Sequence, residues 1–579
     1  MSFLVGLATT LIYYFILIFS NLGLGWMASR LLHIKFSQAE KLFSLVWLGW
    51  AATLLILQLI NLFAPISIIW SALLFLSGLA SVYFFIKTDI EYIRTIHISK
   101  LWLGFVGLAA ILIAIVSMQV PKAYDSGLYH FNSIRWLNEY PIVLGLGNLH
   151  GRLAFNQSFF AFVAYLNLYP LFKYGYYIAN GFLLFLLLIE ELFQLSKRRT
   201  NLDETVNFSA TKILIIFVVP VTIYLALHTN LSAPAPDTAS DILQILIFIY
   251  FIRALDSNIA NTNNDAQILF IFIMSATAIT VKISNLVYVL TICAILLIAK
   301  LRYWQLPPQQ TVARILKMLP APIFITAIWM LRGILLSGCP VYPSTFGCIH
   351  TSWSVPIEAV QSQADWIYAW ARVPRETPDK ILSSWGWLKP WFNSVIWANK
   401  LLIVYPLTIA CVALTALIII FIRKSSSKTL NKDLLWAPFP ILTALIFWFF
   451  SAPDVRFVQV LILLFPIAVA AILISIFGTT GKLRDGIIIV MFLIVNTNIA
   501  WIIFGNTRTV IEFPVHGFAP IRTVRLIKST TISGLDVFSP KKDDQCWDSE
   551  LPCTPEFNDE LEFNNRIFFP EFRLISGIK

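Results

Sequence analysis

Charge is scarce in this chain: Asp, Glu, Lys and Arg make up 13% of 579 residues, while hydrophobic residues make up 58%. A soluble globular protein carries about 25% charged and about 45–50% apolar residues. So little charge on so long a chain cannot cover a water-facing surface, which excludes a cytosolic enzyme and a disordered scaffold. Cysteine is also scarce, six in all, which excludes a disulfide-built secreted mini-domain. No His-Glu-x-x-His helix of a zinc protease occurs, and no Gly-x-x-x-x-Gly-Lys-Ser/Thr phosphate loop of a nucleotide-driven pump. What abounds is long apolar runs, and these place the chain in a lipid bilayer.

One span needs about 20 apolar residues. Candidate spans fall near 2–28, 42–63, 66–86, 100–119, 174–196, 211–229, 240–254, 267–281, 284–300, 316–337, 399–422, 435–451, 457–476 and 485–505. They predict an all-α polytopic integral membrane protein of about 14 transmembrane helices. The first run lacks a basic leader and a small-residue cleavage site, so it reads as a retained span.

Basic residues set the orientation. Alternate short connections hold Arg30, Lys35 and Lys41; Lys87, Arg94 and Lys100; Lys197, Arg198, Arg199 and Lys212; Arg253; Lys300, Arg302, Arg314 and Lys317; Arg423, Lys424, Lys428 and Lys432; Lys482 and Arg484. The positive-inside rule puts these in the cytoplasm. The net charge of +11 reads as this anchoring rather than nucleic-acid binding, and no loop resembles a nucleic-acid module. Both termini and the long segments 120–173, 338–398 and 506–579 then lie outside. The expectation is a multi-pass inner (plasma) membrane protein whose outer side is the periplasm in a Gram-negative cell. The short apolar stretch 156–170 carries Asn156, Gln157 and Asn167 and ends at Pro170. It is expected to lie as an interfacial helix on the outer leaflet.

Cys293 and Cys411 fall inside spans. Cys339 and Cys348 share an outer loop, and Cys546 and Cys553 share the outer tail. Close pairs on an oxidising side read as disulfides, with zinc ligation the weaker alternative for want of histidine spacing. The tail 506–579 is expected to be a small cap pinned by Cys546 and Cys553.

Polar groups at span ends are the places to look for chemistry, since charge at membrane depth is costly. Four positions share the outer side: Asp125, Asp237, Lys282 and the Asp454/Arg456 pair. Each has a plainer reading. Asp125 suits an N-cap, Lys282 a snorkelling anchor, and Asp454 and Arg456 a mutual pair across a tight turn. Asp241 caps the next span as well as Asp237 serves a site. His130, His150, Arg135 and Arg152 read as residues that hold the loop together. Trp353, Trp366, Trp370, Trp385, Trp387 and Trp391 read as interfacial belt anchors, with stacking on sugar rings as the second reading.

The order and spacing of these residues resemble the GT-C glycosyltransferase superfamily, in the branch of protein mannosyltransferases and aminoarabinose transferases. Those enzymes take a sugar from a polyprenyl-phosphate carrier on the outer side of the membrane. Their first outer loop opens with an acidic residue and an aromatic-containing helix, similar to Asp125-Ser126-Gly127-Leu128-Tyr129. Their Pro-Asp pair is similar to Pro236-Asp237, their Leu-Thr-Lys element to Thr280-Val281-Lys282, and their late Arg-aromatic pair to Arg456-Phe457. The family's His-Pro-Pro element is replaced by Leu153-Ala154-Phe155-Asn156-Gln157. The stretches 145–160 and 543–557 resemble a bacterial polytopic membrane-protein family without an assigned activity.

Set against the resemblance, three spans (1–99) precede the span before Asp125, where many members have none. The chain is expected to divide into this N-terminal three-helix extension, a catalytic core (100–300), C-terminal helices (301–505) and an outer tail (506–579). The resemblance implies a transferase with Asp125 as general base and Asp237 as a second catalytic carboxylate. Lys282 and Arg456 would bind the lipid phosphate, with Tyr129, His130, Arg135 and Asp454 in support. The donor would be a polyprenyl-phosphate-linked sugar, the acceptor a glycan, lipid or protein, and a divalent metal is an open question. Two other readings stand beside it: a transporter or flippase, and a polymerase, of lipid-linked polysaccharide.

Overall fold

Apolar runs fold as helices because a backbone in hydrocarbon has only itself to hydrogen-bond with. The computed structural model describes residues 2–38, 40–94, 99–196, 210–256, 265–303, 307–423, 432–476, 493, 496–497, 499–502, 517–565 and 569–575. Among them, nine helices are long and apolar enough to cross a membrane, from Phe3–Leu31 to Asp433–Phe450. Four shorter apolar helices accompany them: Leu214–His228, Asp265–Val281, Val404–Thr415 and Gln459–Ala470. The run expected at 485–505 lies largely outside the described residues. The chain is a helical membrane protein.

The first three helices, Phe3–Leu31, Lys41–Asn61 and Ile68–Thr88, approach one another through glycine. A Cβ on Gly49 would lie 1.8 Å from the Asn21 carbonyl oxygen, and one on Gly23 would lie 1.9 Å from that of Gly78. Small residues let backbones close up where hydrophobicity gives no drive for association. The trio is bonded into later helices: Trp47 donates its indole N–H to Glu190 at 2.9 Å, and Trp50 meets Phe162 edge-on at 5.9 Å.

The stretch 156–170 departs from its expected place on the leaflet surface. Only Phe159–Leu166 is α-helical there, and all eight of its residues are buried. At about 12 Å it is too short to cross a bilayer. Its aromatic face stacks under the N-terminal helices, with Phe75 and Tyr165 at 4.3 Å. Asn138 donates to its Ala164 carbonyl at 2.9 Å. The apolar pattern therefore serves the protein interior.

The all-α expectation gives way in the C-terminal tail. Strands β1 (Leu526–Thr530) and β2 (Asp536–Pro540) form one antiparallel hairpin, and β3 (Leu561–Asn564) and β4 (Glu571–Leu574) a second. Gly534, at φ +85°, turns the first, as the left-handed region requires. The tail docks on segment 120–173. The Trp547 amide donates to Gly127 O at 2.7 Å, and Thr554 Oγ1 donates to Leu149 O at 2.9 Å. Leu144 and Phe572 exchange backbone bonds with the chain across this contact. Both expected cysteine pairs, Cys339–Cys348 and Cys546–Cys553, are disulfides, so these four are not zinc ligands.

Candidate functional site

Asp125 begins the turn before a π-helical segment, Ser126–His130, but its side chain makes no capping bond there. It faces two arginines instead. Arg152 Nη1 donates to Oδ1 at 3.1 Å and Arg456 Nη1 to Oδ2 at 2.8 Å. The capping reading of Asp125 is thereby replaced. Arg456 also lies 3.5 Å from Asp454 through Nε, while its own amide donates to Asp454 Oδ1 at 3.1 Å. The mutual pair is real, yet it is one edge of a larger network.

Asp237 sits in the first turn of the helix Pro236–Asp256, where the helix dipole favours a carboxylate. It is ion-paired with Lys282, so Lys282 does not merely snorkel. Lys282 is held in extended backbone between Asp265–Val281 and the short turn Ile283–Asn285. Behind it, Asn285 accepts from Ser240 and Gln244 at 3.0 and 2.9 Å. Asp241 is buried and accepts from Gln459 at 2.6 Å, a tie between helices that leaves Asp237 as the carboxylate of the cluster. The Phe457 ring joins the two halves, with Lys282 Nζ 4.3 Å and the Arg456 guanidinium carbon 4.9 Å from its centre. Such cation–π contacts hold both charges without neutralising them.

The result is two ion-paired groups, Arg152–Asp125–Arg456–Asp454 and Asp237–Lys282, that meet at Phe457 and bring three carboxylates and three cations together from five sequence segments. The Asp125 side chain is 19% exposed and that of Arg456 44%. Burial pushes the Asp125 carboxyl upward, but Arg456, His130 and Arg152 outweigh it and hold it below its usual value. Burial works against the charge on Arg456 too, yet Asp237, Asp454 and Asp125 raise its pKa. His130, buried against Phe160 at 5.2 Å, is pushed down to about 4 chiefly by burial and is neutral at pH 7. Its Nδ1 meets Ser126 Oγ at 3.1 Å, while Nε2 is buried without a hydrogen-bond partner.

Tyr129 is buried beside this network, with the Arg152 guanidinium carbon 6.0 Å from its ring centre. Arg135 lies apart from it, pairing with Glu139 at 2.8 Å and donating to the Asp548 carbonyl at 3.2 Å. His150 is likewise outside, pushed down to about 3 chiefly by burial. Among the described residues no group of three or more His, Cys, Asp or Glu side chains is arranged to hold a metal ion. Each carboxylate of the cluster already faces a cation, a donor set that does not fit a divalent metal.

Sequence reasoning set Arg152 aside as a loop-holding residue, and no feature of the sequence marks it as a partner of Asp125. It also missed what fixes the Arg456 turn. Trp391 Nε1 donates to Pro453 O at 2.8 Å and Trp448 Nε1 to Asp454 O at 2.7 Å. Arg372 donates to the carbonyls of Phe450 and Ser451, both at 2.9 Å. Trp387 and Trp391 are thus buried supports of the turn, whereas Trp385 is 59% exposed.

A family described as a domain of unknown function, DUF8201, matches residues 7–463. That stretch is the greater part of the chain, and the chain belongs to this family. No curated protein and no solved structure matches it.

Proposed function

We propose that this DUF8201 member is a membrane glycosyltransferase that moves a sugar from a polyprenyl-phosphate carrier to an acceptor hydroxyl at the outer face. The observation that carries the reading is the convergence of two ion-paired groups, Asp125 with Arg456 and Asp237 with Lys282, at the Phe457 ring. These residues lie as far as 331 positions apart, and they are the ones to which the GT-C resemblance assigns catalysis (Asp125, Asp237) and lipid-phosphate binding (Lys282, Arg456). The side of the membrane follows from the basic connections.

In this reading the acceptor oxygen attacks the anomeric carbon, and the bond from that carbon to the phosphate oxygen breaks. Asp125 takes the acceptor proton as general base. The electron pair leaves with the polyprenyl phosphate, whose charge Arg456 and Lys282 stabilise in a low-dielectric setting. Arg suits this role because its planar fork matches phosphate oxygens. A carboxylate clamped by two arginines is a weak base. An arriving phosphate draws Arg456 away from Asp125 and so raises the basicity of Asp125 when substrate is present. Asp237 holds Lys282 in place.

The experiment is binding of polyprenyl monophosphate to the protein in lipid nanodiscs. Wild type is expected to bind at micromolar concentration, and the Lys282→Ala, Arg456→Ala double variant to lose at least tenfold. Absence of binding to folded wild type would overturn the reading in favour of transport.

A further inference from the structure

Arg332 is a buried guanidinium, 4% exposed, in the helix Pro320–Ser337. It donates to the Gln58 carbonyl at 3.2 Å and to Asn61 Oδ1 at 3.1 Å. Both acceptors are neutral, and among the described residues no carboxylate forms an ion pair with it. Three of its five N–H donors remain for something else. A buried charge is ordinarily paired, so this one needs an explanation.

Arg332 lines a cavity together with Gln58, Ser133, Trp136, Gln157 and Phe160. Four polar atoms of this lining are unmet: Gln58 Oε1, Ser133 Oγ, the Trp136 indole nitrogen and Gln157 Oε1 are buried with no hydrogen-bond partner. Gln58, Ser133 and Trp136 are themselves at least nine-tenths buried. Buried polar atoms are nearly always satisfied, so four unmet atoms around one guanidinium call for hydrogen-bonding partners inside the cavity. Water can serve the hydroxyl and the amide oxygens but supplies no charge to Arg332.

We infer that this cavity is a binding site for an oxyanion on a hydroxyl-bearing molecule, a phosphate or carboxylate attached to a sugar. The guanidinium fork and the indole N–H face the oxyanion, the charge-assisted pairing that arginine makes best. The amide oxygens of Gln58 and Gln157 accept from the ligand's hydroxyl groups. The site is fixed in place by a reciprocal pair: Asn156 Nδ2 donates to Trp329 O at 2.6 Å, and Trp329 Nε1 to Asn156 O at 2.8 Å. Phe160 separates it from the Asp125 network, since the same ring packs on His130. The two sites are neighbours with different chemistry, and this inference does not depend on the transferase reading.

The test is isothermal titration calorimetry in zwitterionic phosphatidylcholine nanodiscs, with inorganic phosphate, a hexose 1-phosphate, a hexuronate and an uncharged hexose as probes. A parallel arm places polyprenyl phosphate in the nanodisc, which separates a soluble from a lipid source of the oxyanion. We expect an anionic probe to bind at least tenfold more tightly than the hexose. Arg332→Met is expected to abolish that preference, and Trp136→Phe, which keeps the ring and removes only the N–H, to weaken binding severalfold. Without ligand, Arg332→Met is expected to melt at or above the wild-type temperature, because it removes an unpaired buried charge. Binding of no anion to folded wild type, equal binding of hexose, or unchanged binding in both variants would overturn the inference.

Discussion

Arg456 Nη1 donates to Asp125 Oδ2 at 2.8 Å although 331 positions separate the two residues. The first lies in the turn before the helix Gln459–Ile476, the second at the start of the long segment after Lys100–Ser117. Their contact closes the network that the proposed chemistry needs.

If the pair is energetically coupled, its two ends will not behave independently. Asp125→Asn and Arg456→Met are each expected to destabilise the protein by about 1–2 kcal/mol, the range of a charged hydrogen bond discounted for solvent access. The double variant is expected to lose less than the sum of the two. Thermal unfolding in nanodiscs measures the cycle, and strict additivity would show that the contact carries no coupling.

The tail latch is sterically exacting at one glycine. A Cβ on Gly127 would lie 2.5 Å from Trp547 Cε2, so Gly127→Ala must displace the indole that stacks on Phe131 at 5.8 Å. The tail is expected to become cleavable by protease near 543–557 in this variant. Adding Trp547→Ala should relieve the clash without restoring protection. A protease pattern like that of wild type in Gly127→Ala would contradict the latch.

Acid sensitivity has a definite sign at His130. The unfolded residue protonates near 6.5 and the folded one near 4, because burial disfavours its charge. The unfolded state binds the extra proton between these values, so stability falls as pH drops from about 6.5 to about 4 and falls no further below that. The difference amounts to about 3 kcal/mol. His130→Phe is expected to flatten this part of the stability profile. Asp125, whose carboxyl is lowered, acts in a separate and more acidic window. Its contribution is present above its ordinary pKa and is lost as pH falls through the folded one. An unchanged slope between pH 6.5 and 4 in His130→Phe would contradict the assignment.

The sequence revealed helices wherever apolar runs were long, and it picked out Asp125, Asp237, Lys282 and Arg456 by their place at span ends. It did not reveal what surrounds an apolar run. Phe159–Leu166 is buried by protein on every side, and composition alone reads the same whether protein or lipid is the neighbour. The hairpin at 526–540 carried one signal, the glycine at 534 where the chain turns, that the weak apolarity of the tail obscured. Arg152, Arg372 and Arg332 went unrecognised for a common reason: a basic residue in an outer loop or span has no visible partner until the fold supplies one. Arg152 found Asp125, Arg372 found the carbonyls of 450 and 451, and Arg332 found no acid among the described residues.

In the proposed reaction Asp125 acts as the base of sugar transfer from a lipid phosphate. Release of polyprenyl monophosphate from a panel of polyprenyl-phosphate sugars, in nanodiscs supplied with membrane-extract acceptors, reads that transfer whatever the sugar. Wild type is expected to release the lipid phosphate from at least one donor, and Asp125→Asn, at equal folded level, to release it at least a hundredfold more slowly. Equal release by the two proteins would show that Asp125 is not the base of the transfer.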